Sequence, residues 1–185
     1  MSDFPFESQL LNEDNVHLLE NFSCGRFEID RYIKEDAFRD NQVGNGVTYL
    51  ILDRRNGKLV AYYTITSTSL LYFDNEDISN KQTIEELVIR GISSVELKMF
   101  AMSKVYQDVS YDDKYLVSDI VLGAVIGDIY HIATSILGAK KIILNSTPEA
   151  VKFYKRNNFL LLDEYIALYD EYTEDCIPMY ITLFE

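Results

Sequence analysis

The sequence is poor in the residues that bind metals or cross-link small folds. It has two cysteines, two histidines and no tryptophan in 185 residues. Cys24 and Cys176 lie far apart, and two cysteines do not make a disulfide framework, so we expect free thiols. His17 and His131 have no cysteine or histidine neighbour at metal-ligand spacing. The sequence therefore predicts neither a disulfide-rich domain nor a metal site.

Basic residues are also scarce. Seventeen lysines and arginines face 30 acidic residues, which gives a net charge of −13. Such a surface repels phosphate backbones and anionic lipids, so nucleic acid is an unlikely partner. No apolar stretch follows a basic segment at the N-terminus, and we expect no membrane-spanning run. The sequence predicts a cytoplasmic protein with a single domain over residues 1–185.

The first half of the chain predicts two helices and a β-hairpin. Apolar residues recur at near-helical spacing over residues 10–22 and, after Cys24-Gly25, over residues 27–38. Residues 47–53 and 58–66 are rich in β-branched and aromatic side chains, and Asn56-Gly57 between them favours a tight turn. Residues 67–94, with a helical pattern at 83–89, are predicted to form a long connection.

The second half alternates strands and helices. Residues 95–103 are a candidate strand, and residues 116–137 are apolar nearly all round, which is typical of a buried helix that ends at Gly138. The remaining elements are a strand at 142–145, a helix at 148–157 and strands at 159–165 and 179–184. We expect an α/β fold with helices on both faces of a mixed sheet, and a parallel right-handed crossover over residues 95–145.

Several motifs resemble the GNAT (Gcn5-related N-acetyltransferase) superfamily. The run Ile142-Ile143-Leu144-Asn145, followed by Ala150, Phe153-Tyr154 and Phe159, is similar to its strand and A-x-x-F-Y-x-x-x-x-F helix. Residues 97–107 (LKMFAMSKVYQ) resemble the preceding strand and the start of the CoA loop. Residues 22–33 resemble the F-x-C-G-x-x-x-L-D-x-x-L opening of the branch that includes toxin acetyltransferases acting on charged tRNA.

The resemblance implies a partly splayed GNAT-type sheet that binds acetyl-CoA as co-substrate, with the pantetheine arm between strands 95–103 and 142–145. It implies that Tyr154 protonates the CoA sulfur and that Glu96 is the base. The alternative for Tyr154 is a core aromatic, and for Glu96 a surface pair with Lys98. The residues implied to contact the cofactor are Phe100, Ala101, Met102, Gln107, Ser110, Asn145 and Phe153.

The loop before the long helix departs from this pattern. GNAT proteins usually carry R/Q-x-x-G-x-G/A there, so that free N–H groups and the helix N-terminus hold a diphosphate. Here the stretch from Gln107 to Asp112 has no glycine and is acidic. Lys104 and Lys114 offset part of that charge, and we expect the helix start at 116–118 to offer unpaired N–H groups.

Three functions are compatible with the sequence. The first is an N-acetyltransferase acting on a primary amine of a small molecule or protein, compatible with a homodimer. The second is a GNAT-fold binding module with weakened CoA use. The third is a toxin-like aminoacyl-tRNA acetyltransferase, served by a basic cluster formed by Lys140, Lys141, Lys152, Lys155 and Arg156. Residues 68–93 are expected to border the acceptor site. Two roles are open for Tyr62 and Tyr63, which either border the acceptor site or form packing pairs.

Overall fold

The computed structural model describes residues 4–73, 89–163 and 175–184. Within these residues, seven strands form a mixed sheet in the order β1-β2-β3-β4-β5-β7-β6. The strands are β1 (Phe6–Leu10), β2 (Val47–Asp53), β3 (Leu59–Phe73), β4 (Ile89–Met102), β5 (Lys141–Ser146), β6 (Leu160–Leu161) and β7 (Ile177–Thr182). β4 and β5 run parallel, and the β1–β2, β2–β3, β5–β7 and β6–β7 pairs are antiparallel.

The helices alternate with these strands along the chain. They are α1 (Phe27–Arg31), α2 (Ala37–Val43), α3 (Val117–Ile132) and α4 (Val151–Arg156). A π-helical turn at Tyr32–Asp36 joins α1 to α2, another at Ala133–Leu137 continues α3, and 3-10 turns lie at Val16–Leu19, Lys104–Tyr106 and Pro148–Ala150. Gly44 and Gly138 end two of the helical segments in the left-handed conformation, with φ of 79° and 69°, which a glycine adopts without steric cost.

The chain divides into two compact units that are interleaved in sequence. The first contains Met1–Thr66 and Leu97–Asp128, and the second contains Ser67–Glu96 and Ile129–Glu185. β3, β4 and the α3 region therefore each contribute residues to both units. A single domain over residues 1–185 stays a prediction.

The first unit is built around a β2–β3 hairpin. The predicted Asn56-Gly57 turn is confirmed, since Gly57 has a φ of 67° and the Asp53 N–H donates to the Lys58 carbonyl at 2.9 Å. Tyr62 of β3 is completely buried, and its ring lies edge-on to Phe22 at a centroid distance of 5.3 Å. Burial of such large aromatic rings supplies much of the driving force for this packing.

The second unit is built around the β4–β5 ladder. Ser94, Val95 and Glu96 pair in parallel with Lys141, Ile142 and Ile143. β7 lies antiparallel to β5, and its Met179 is completely buried, as is Ile142. The predicted parallel pairing of these two strands is confirmed, as are the mixed sheet and the α/β class.

One predicted helix is wrong at its N-terminal end. Phe6–Leu10 forms β1, paired antiparallel with β2, and the predicted helix over 10–22 reduces to the 3-10 turn at Val16–Leu19. Along β1 Phe6 is buried, Glu7 and Gln9 are half-buried, and Ser8 and Leu10 are exposed, so buried and exposed side chains do not alternate in this strand. The pairing with β2 decides its structure against the apolar spacing that favoured a helix.

The predicted long connection is also wrong at both ends. β3 continues to Phe73, and β4 already begins at Ile89. Threonines and serines follow the apolar part of β3, and β-branched threonine is well suited to an extended strand. Of the predicted helical pattern at 83–89, only Ile89 lies within the described residues, where it starts β4.

The long helix is confirmed, but it is buried on one face only. Its completely buried side chains are Val121, Leu122, Val125, Ile129 and Ala133, whereas Gly123, Gly127 and Tyr130 are exposed. Glycine fits an apolar sequence pattern although it has no side chain to bury. The pattern therefore predicts burial all round, whereas only one face of the helix is buried. Val117–Leu137 has 21 residues and contains an 18-residue window with a mean hydropathy of 1.8, enough to span a membrane by length and composition. The expectation that no such run exists is therefore wrong, although the buried face is that of a core helix.

Candidate functional site

The loop between β4 and α3 closes on itself. Ser110 and Leu116 form an antiparallel bridge. The Tyr111 N–H donates to the Tyr115 carbonyl at 2.9 Å, and the Val117 N–H donates to the Val109 carbonyl at 2.8 Å. Residues 109–117 therefore form a small hairpin that leads directly into α3.

Two carboxylates accept from three further N–H groups of this hairpin. Asp112 Oδ1 accepts from the N–H groups of both Lys114 and Tyr115, each at 2.8 Å. Asp119 Oδ2 accepts from the Leu116 N–H at 3.2 Å, and Asp119 is only 9% exposed. The expectation of unpaired N–H groups at the start of the helix is therefore wrong for Leu116 and Val117.

This loop does not fit the diphosphate of acetyl-CoA as it stands. A diphosphate is held when several N–H groups point at it and no negative charge competes. Here the Val117 N–H at the start of α3 points at the Val109 carbonyl, and the Leu116 N–H before it points at Asp119. The N–H groups of Lys114 and Tyr115 point at Asp112. The chain itself supplies the acceptors that a bound diphosphate would provide.

The predicted pantetheine-binding residues lie next to this loop in the first unit. Ala101 and Met102 are buried at the end of β4, and Phe100 is half-buried. The Gln107 side chain donates to the Met102 carbonyl at 3.0 Å and to the Cys24 carbonyl at 2.9 Å. The structure thus brings Gln107 and the end of β4 together.

Other predicted site residues lie in the second unit. Glu96 pairs with Ile143 in the parallel ladder, so Glu96, Ile143 and Asn145 share one face of the sheet. That face is half-buried to exposed, whereas Val95 and Ile142 on the other face are buried. The orientation of Glu96, which sequence patterning leaves open, is therefore toward the more accessible face.

Tyr154 is buried within an aromatic cluster at the end of α4. Its ring lies edge-on to Phe153 at 5.1 Å and to Phe159 at 5.5 Å, and the residue is 8% exposed. Burial raises the pKa of Tyr154, because the phenolate is poorly solvated there. Across residues 4–73, 89–163 and 175–184 no hydrogen bond reaches its hydroxyl. The ring packs as a core aromatic does, but the hydroxyl has no structural partner in that region.

The tyrosines of β3 pack internally. Tyr62 and Tyr63 are both completely buried. The Tyr62 hydroxyl donates to the Ile29 carbonyl at 3.0 Å, and the Tyr63 hydroxyl donates to Asp128 Oδ2 at 3.0 Å. Tyr63 also stacks on its strand partner Tyr49 at 5.0 Å. Cross-strand packing, the second of the two predicted roles, is what the structure shows for Tyr63 with Tyr49.

Part of the predicted basic cluster is engaged within the second unit. Lys141 Nζ donates to the Thr182 hydroxyl at 3.0 Å and lies 4.1 Å from the centre of the Tyr180 ring. Burial lowers the pKa of Lys141. The Arg156 guanidinium lies 5.4 Å from the Phe153 ring. These contacts occupy two of the cationic side chains of the cluster, so they are less available to bind a phosphate backbone.

Sequence patterning gave no sign of a polar network in the first unit. Lys98 of β4 lies beside Asp40 of α2, and the Tyr32 hydroxyl donates to the same carboxylate at 3.1 Å. The two partners of the ion pair are 58 residues apart in sequence. Pairs at such separation leave no local motif.

Comparison with solved structures identifies the fold. A structure described as a bacterial toxin has a TM-score of 0.67 at 19% identity, covering 96% of this chain and 90% of that chain. AtaTR bound with AcCoA has a TM-score of 0.72 at 15% identity, covering 97% and 94%. AtaT complexed with acetyl-methionyl-tRNAfMet has a TM-score of 0.66 at 14% identity, covering 96% and 94%.

A further match is a KacT variant in which phenylalanine replaces a tyrosine, with a TM-score of 0.68 at 14% identity, covering 97% and 95%. At these identities the comparisons establish the fold. The chain has the fold of these toxins, which confirms the predicted GNAT-type fold and its likeness to the toxin branch. Neither a protein-family model nor a curated protein sequence matches the chain.

Proposed function

We propose that this protein is an N-acetyltransferase that transfers an acetyl group from acetyl-CoA to a primary amine. The observation that carries the proposal is Tyr154, a buried tyrosine whose hydroxyl no described residue engages, within this fold. Two comparisons support it. AtaTR, which has the same fold, was solved with AcCoA, and a tyrosine of KacT was replaced by phenylalanine in its solved structure.

The reaction requires two proton movements. The neutral amine attacks the thioester carbonyl, so that a C–N bond forms and the C–S bond breaks. The ammonium of the tetrahedral intermediate loses a proton to a base, and the thiolate gains one from an acid. The products are an N-acetyl amide and free CoA, and the proton taken up by the base restores the acid through solvent.

Tyr154 suits the role of the acid. Because burial raises its pKa, the hydroxyl stays protonated at neutral pH and can donate to a developing thiolate. Its ring is fixed by Phe153 and Phe159, which limits the entropy lost on positioning the donor. Among the described residues no fully buried side-chain oxygen or nitrogen lacks a hydrogen-bond partner, so the Tyr154 hydroxyl lies at an accessible position, which suits donation to a bound thioester.

Glu96 suits the role of the base. It lies on the accessible face of the β4–β5 ladder together with Asn145. A carboxylate on that face can accept a proton directly or through water. The role of Glu96, like that of Tyr154, rests on the family resemblance and on these local environments.

The test is acetyl transfer measured by release of free thiol. Purified protein is incubated with acetyl-CoA and separate pools of polyamines, amino-sugar compounds, peptides with free N-termini and lysine peptides. We expect at least one pool to raise thiol release well above hydrolysis, with a mass increase of one acetyl group in the acceptor. Failure of every pool, including the aminoacyl-tRNA pool below, would sink the proposal.

A second acceptor class is aminoacyl-tRNA, because AtaT was solved with acetyl-methionyl-tRNAfMet. The net charge of −13 and the internal contacts of Lys141 and Arg156 oppose tight tRNA binding. To test this, total tRNA is aminoacylated with labelled amino acids and incubated with the protein and acetyl-CoA, and acetylated aminoacyl-tRNA is measured. Acetylation confined to this pool would favour the toxin-like function over a small-molecule or protein acceptor.

A protein that has kept the fold as a binding module gives a different result. It would show no transfer to any pool. A rise in melting temperature with acetyl-CoA would then indicate binding without turnover, since a ligand that binds only the native state stabilises it. The combined transfer and thermal-shift measurements therefore separate an enzyme from a binding module.

A further inference from the structure

We infer that Asp112 and Asp119 take the place of the donor diphosphate in the loop before α3. This inference rests on the proposed function. It predicts that the acyl donor is selected by its pantetheine thioester arm and that the nucleotide portion adds little affinity. The two aspartates are thus specificity-determining residues that disfavour recognition of the nucleotide.

Hydrogen bonds within the loop occupy several of its N–H groups. The N–H groups of Tyr111 and Asp112 donate to the Tyr115 carbonyl at 2.9 and 3.3 Å. The N–H groups of Lys114 and Tyr115 donate to Asp112 Oδ1, and that of Leu116 to Asp119 Oδ2. A bound diphosphate would have to displace these acceptors and leave carboxylate oxygens without donors, which opposes its binding.

The loop also carries negative charge at these N–H groups. Asp112 and Asp119 place two carboxylates on them, and Asp108 lies in the same loop. Like charges separated by a few ångströms repel one another even near the surface. The cation of Lys114 lies 4.8 Å from the centre of the Tyr115 ring, so part of its charge faces an aromatic surface.

The conformation of the loop also differs from that of a glycine-rich loop. A glycine-rich loop lets its backbone approach an anion closely. In this loop Asp108, with a φ of 57°, occupies the left-handed region without being a glycine, and the Ser110 hydroxyl donates to the Asp112 carbonyl at 2.6 Å. The hairpin is therefore fixed by its own side chains.

Calorimetry with three separate probes tests the inference. The probes are CoA, pantetheine and 3′-phosphoadenosine 5′-diphosphate, each titrated into the full-length protein at the same ionic strength. We expect pantetheine to bind within about tenfold of CoA in Kd, a difference of one decade or less. We expect the nucleotide to give no measurable heat at about 1 mM, a concentration that detects millimolar affinity.

A double variant, Asp112→Asn with Asp119→Asn, provides the second arm. Asparagine keeps an oxygen that can accept the same N–H groups, so the loop should stay folded while two charges are lost. We expect the nucleotide and CoA to bind this variant about tenfold or more tightly than they bind the wild type. The matched control is Asp113→Asn, which removes one charge from an exposed side chain of the same loop and should change Kd by less than about twofold.

The outcomes separate the two proposals. Wild-type protein that binds the nucleotide about as tightly as CoA overturns the inference, and so does a double variant that binds it no better than Asp113→Asn. Neither result affects the proposed function. Absence of CoA and pantetheine binding to both the wild type and the double variant instead removes the proposed function. Circular dichroism and the melting temperature confirm that each variant is folded.

Discussion

Lys98 Nζ lies 3.3 Å from Asp40 Oδ2 and links β4 to α2 within the first unit. The carboxylate is 6% exposed and also accepts hydrogen bonds from Tyr32 at 3.1 Å and from Asn45 at 3.3 Å. The side chain of Lys98 is one-third exposed, at 33%. Asp40 therefore holds together three groups, of which Lys98 lies 58 residues away in sequence.

Replacing Asp40 should destabilise the protein. Asp40→Ala leaves the Tyr32 hydroxyl without its acceptor and Lys98 without its counter-ion. We expect the free energy of unfolding to fall by about 1–3 kcal/mol, the usual cost of unpaired buried polar groups. Urea denaturation at pH 7 measures the change, with the exposed Asp113→Ala as control. A loss no larger than that of the control would show that the network contributes nothing to stability.

Asp53 predicts how stability depends on pH. Hydrogen bonds from the Arg55 side chain lower the pKa of Asp53 to about 2, although burial opposes this. The folded-state pKa lies below the value of about 3.9 in unfolded chains. Asp53 therefore stabilises the fold above pH 4, and this contribution is lost as pH falls from about 4 toward about 2.

Asp53→Asn should remove this dependence. We expect the variant to be less stable than the wild type at pH 7 and the difference to shrink as pH falls toward 2. Urea midpoints at several pH values measure it. Asp40 acts in the same direction: burial raises its pKa, but hydrogen bonds from Asn45 and Lys98 and the charge of Lys98 lower it overall. An equal difference at pH 7 and pH 2 would contradict the assignment to Asp53.

Exposed glycines in α3 offer a stabilising change. A Cβ added at Gly123 or Gly127 would meet no atom within 4 Å. Because glycine costs helix stability relative to alanine, Gly123→Ala should raise the free energy of unfolding by roughly 0.5–1 kcal/mol. Gly46→Ala is the contrasting control, since its Cβ would lie 2.8 Å from Thr64 Cγ2. A loss of stability in Gly123→Ala would indicate that this face of the helix is covered in solution.

Local signals explain which elements could be predicted from the sequence. The β2–β3 hairpin closes over the four residues 54–57, and α4 follows a threonine, a proline and a glutamate, so neighbouring residues decide both structures. β1 depends on pairing with β2, some 40 residues later in the chain, and its own residues do not alternate between buried and exposed. The ends of β3 and β4 likewise depend on partners outside the local window.

Some features of the candidate site could likewise be predicted from the sequence, and others could not. Tyr154 lies in a contiguous motif that the sequence shows. The structure shows in addition that Phe153 and Phe159 pack around its ring and that no described residue hydrogen-bonds to its hydroxyl. The acidic, glycine-free loop was evident from the sequence. The way in which Asp112 and Asp119 use the N–H groups was not, because hairpin closure depends on the bridge between Ser110 and Leu116. The Lys98–Asp40 pair had no sequence signal.

Tyr154→Phe gives the sharpest test of catalysis. The change preserves the ring contacts with Phe153 and Phe159 and removes a hydroxyl that has no hydrogen-bond partner among residues 4–73, 89–163 and 175–184. Stability and donor binding should therefore change little. If the hydroxyl protonates the departing thiolate, kcat should fall by about 10²-fold or more, with a smaller change in KM for acetyl-CoA. Steady-state thiol release measures both parameters, and Tyr130→Phe, which alters an exposed tyrosine packed against Phe184, is the matched control. Wild-type kcat in Tyr154→Phe would show that Tyr154 is a core aromatic and that another group donates the proton.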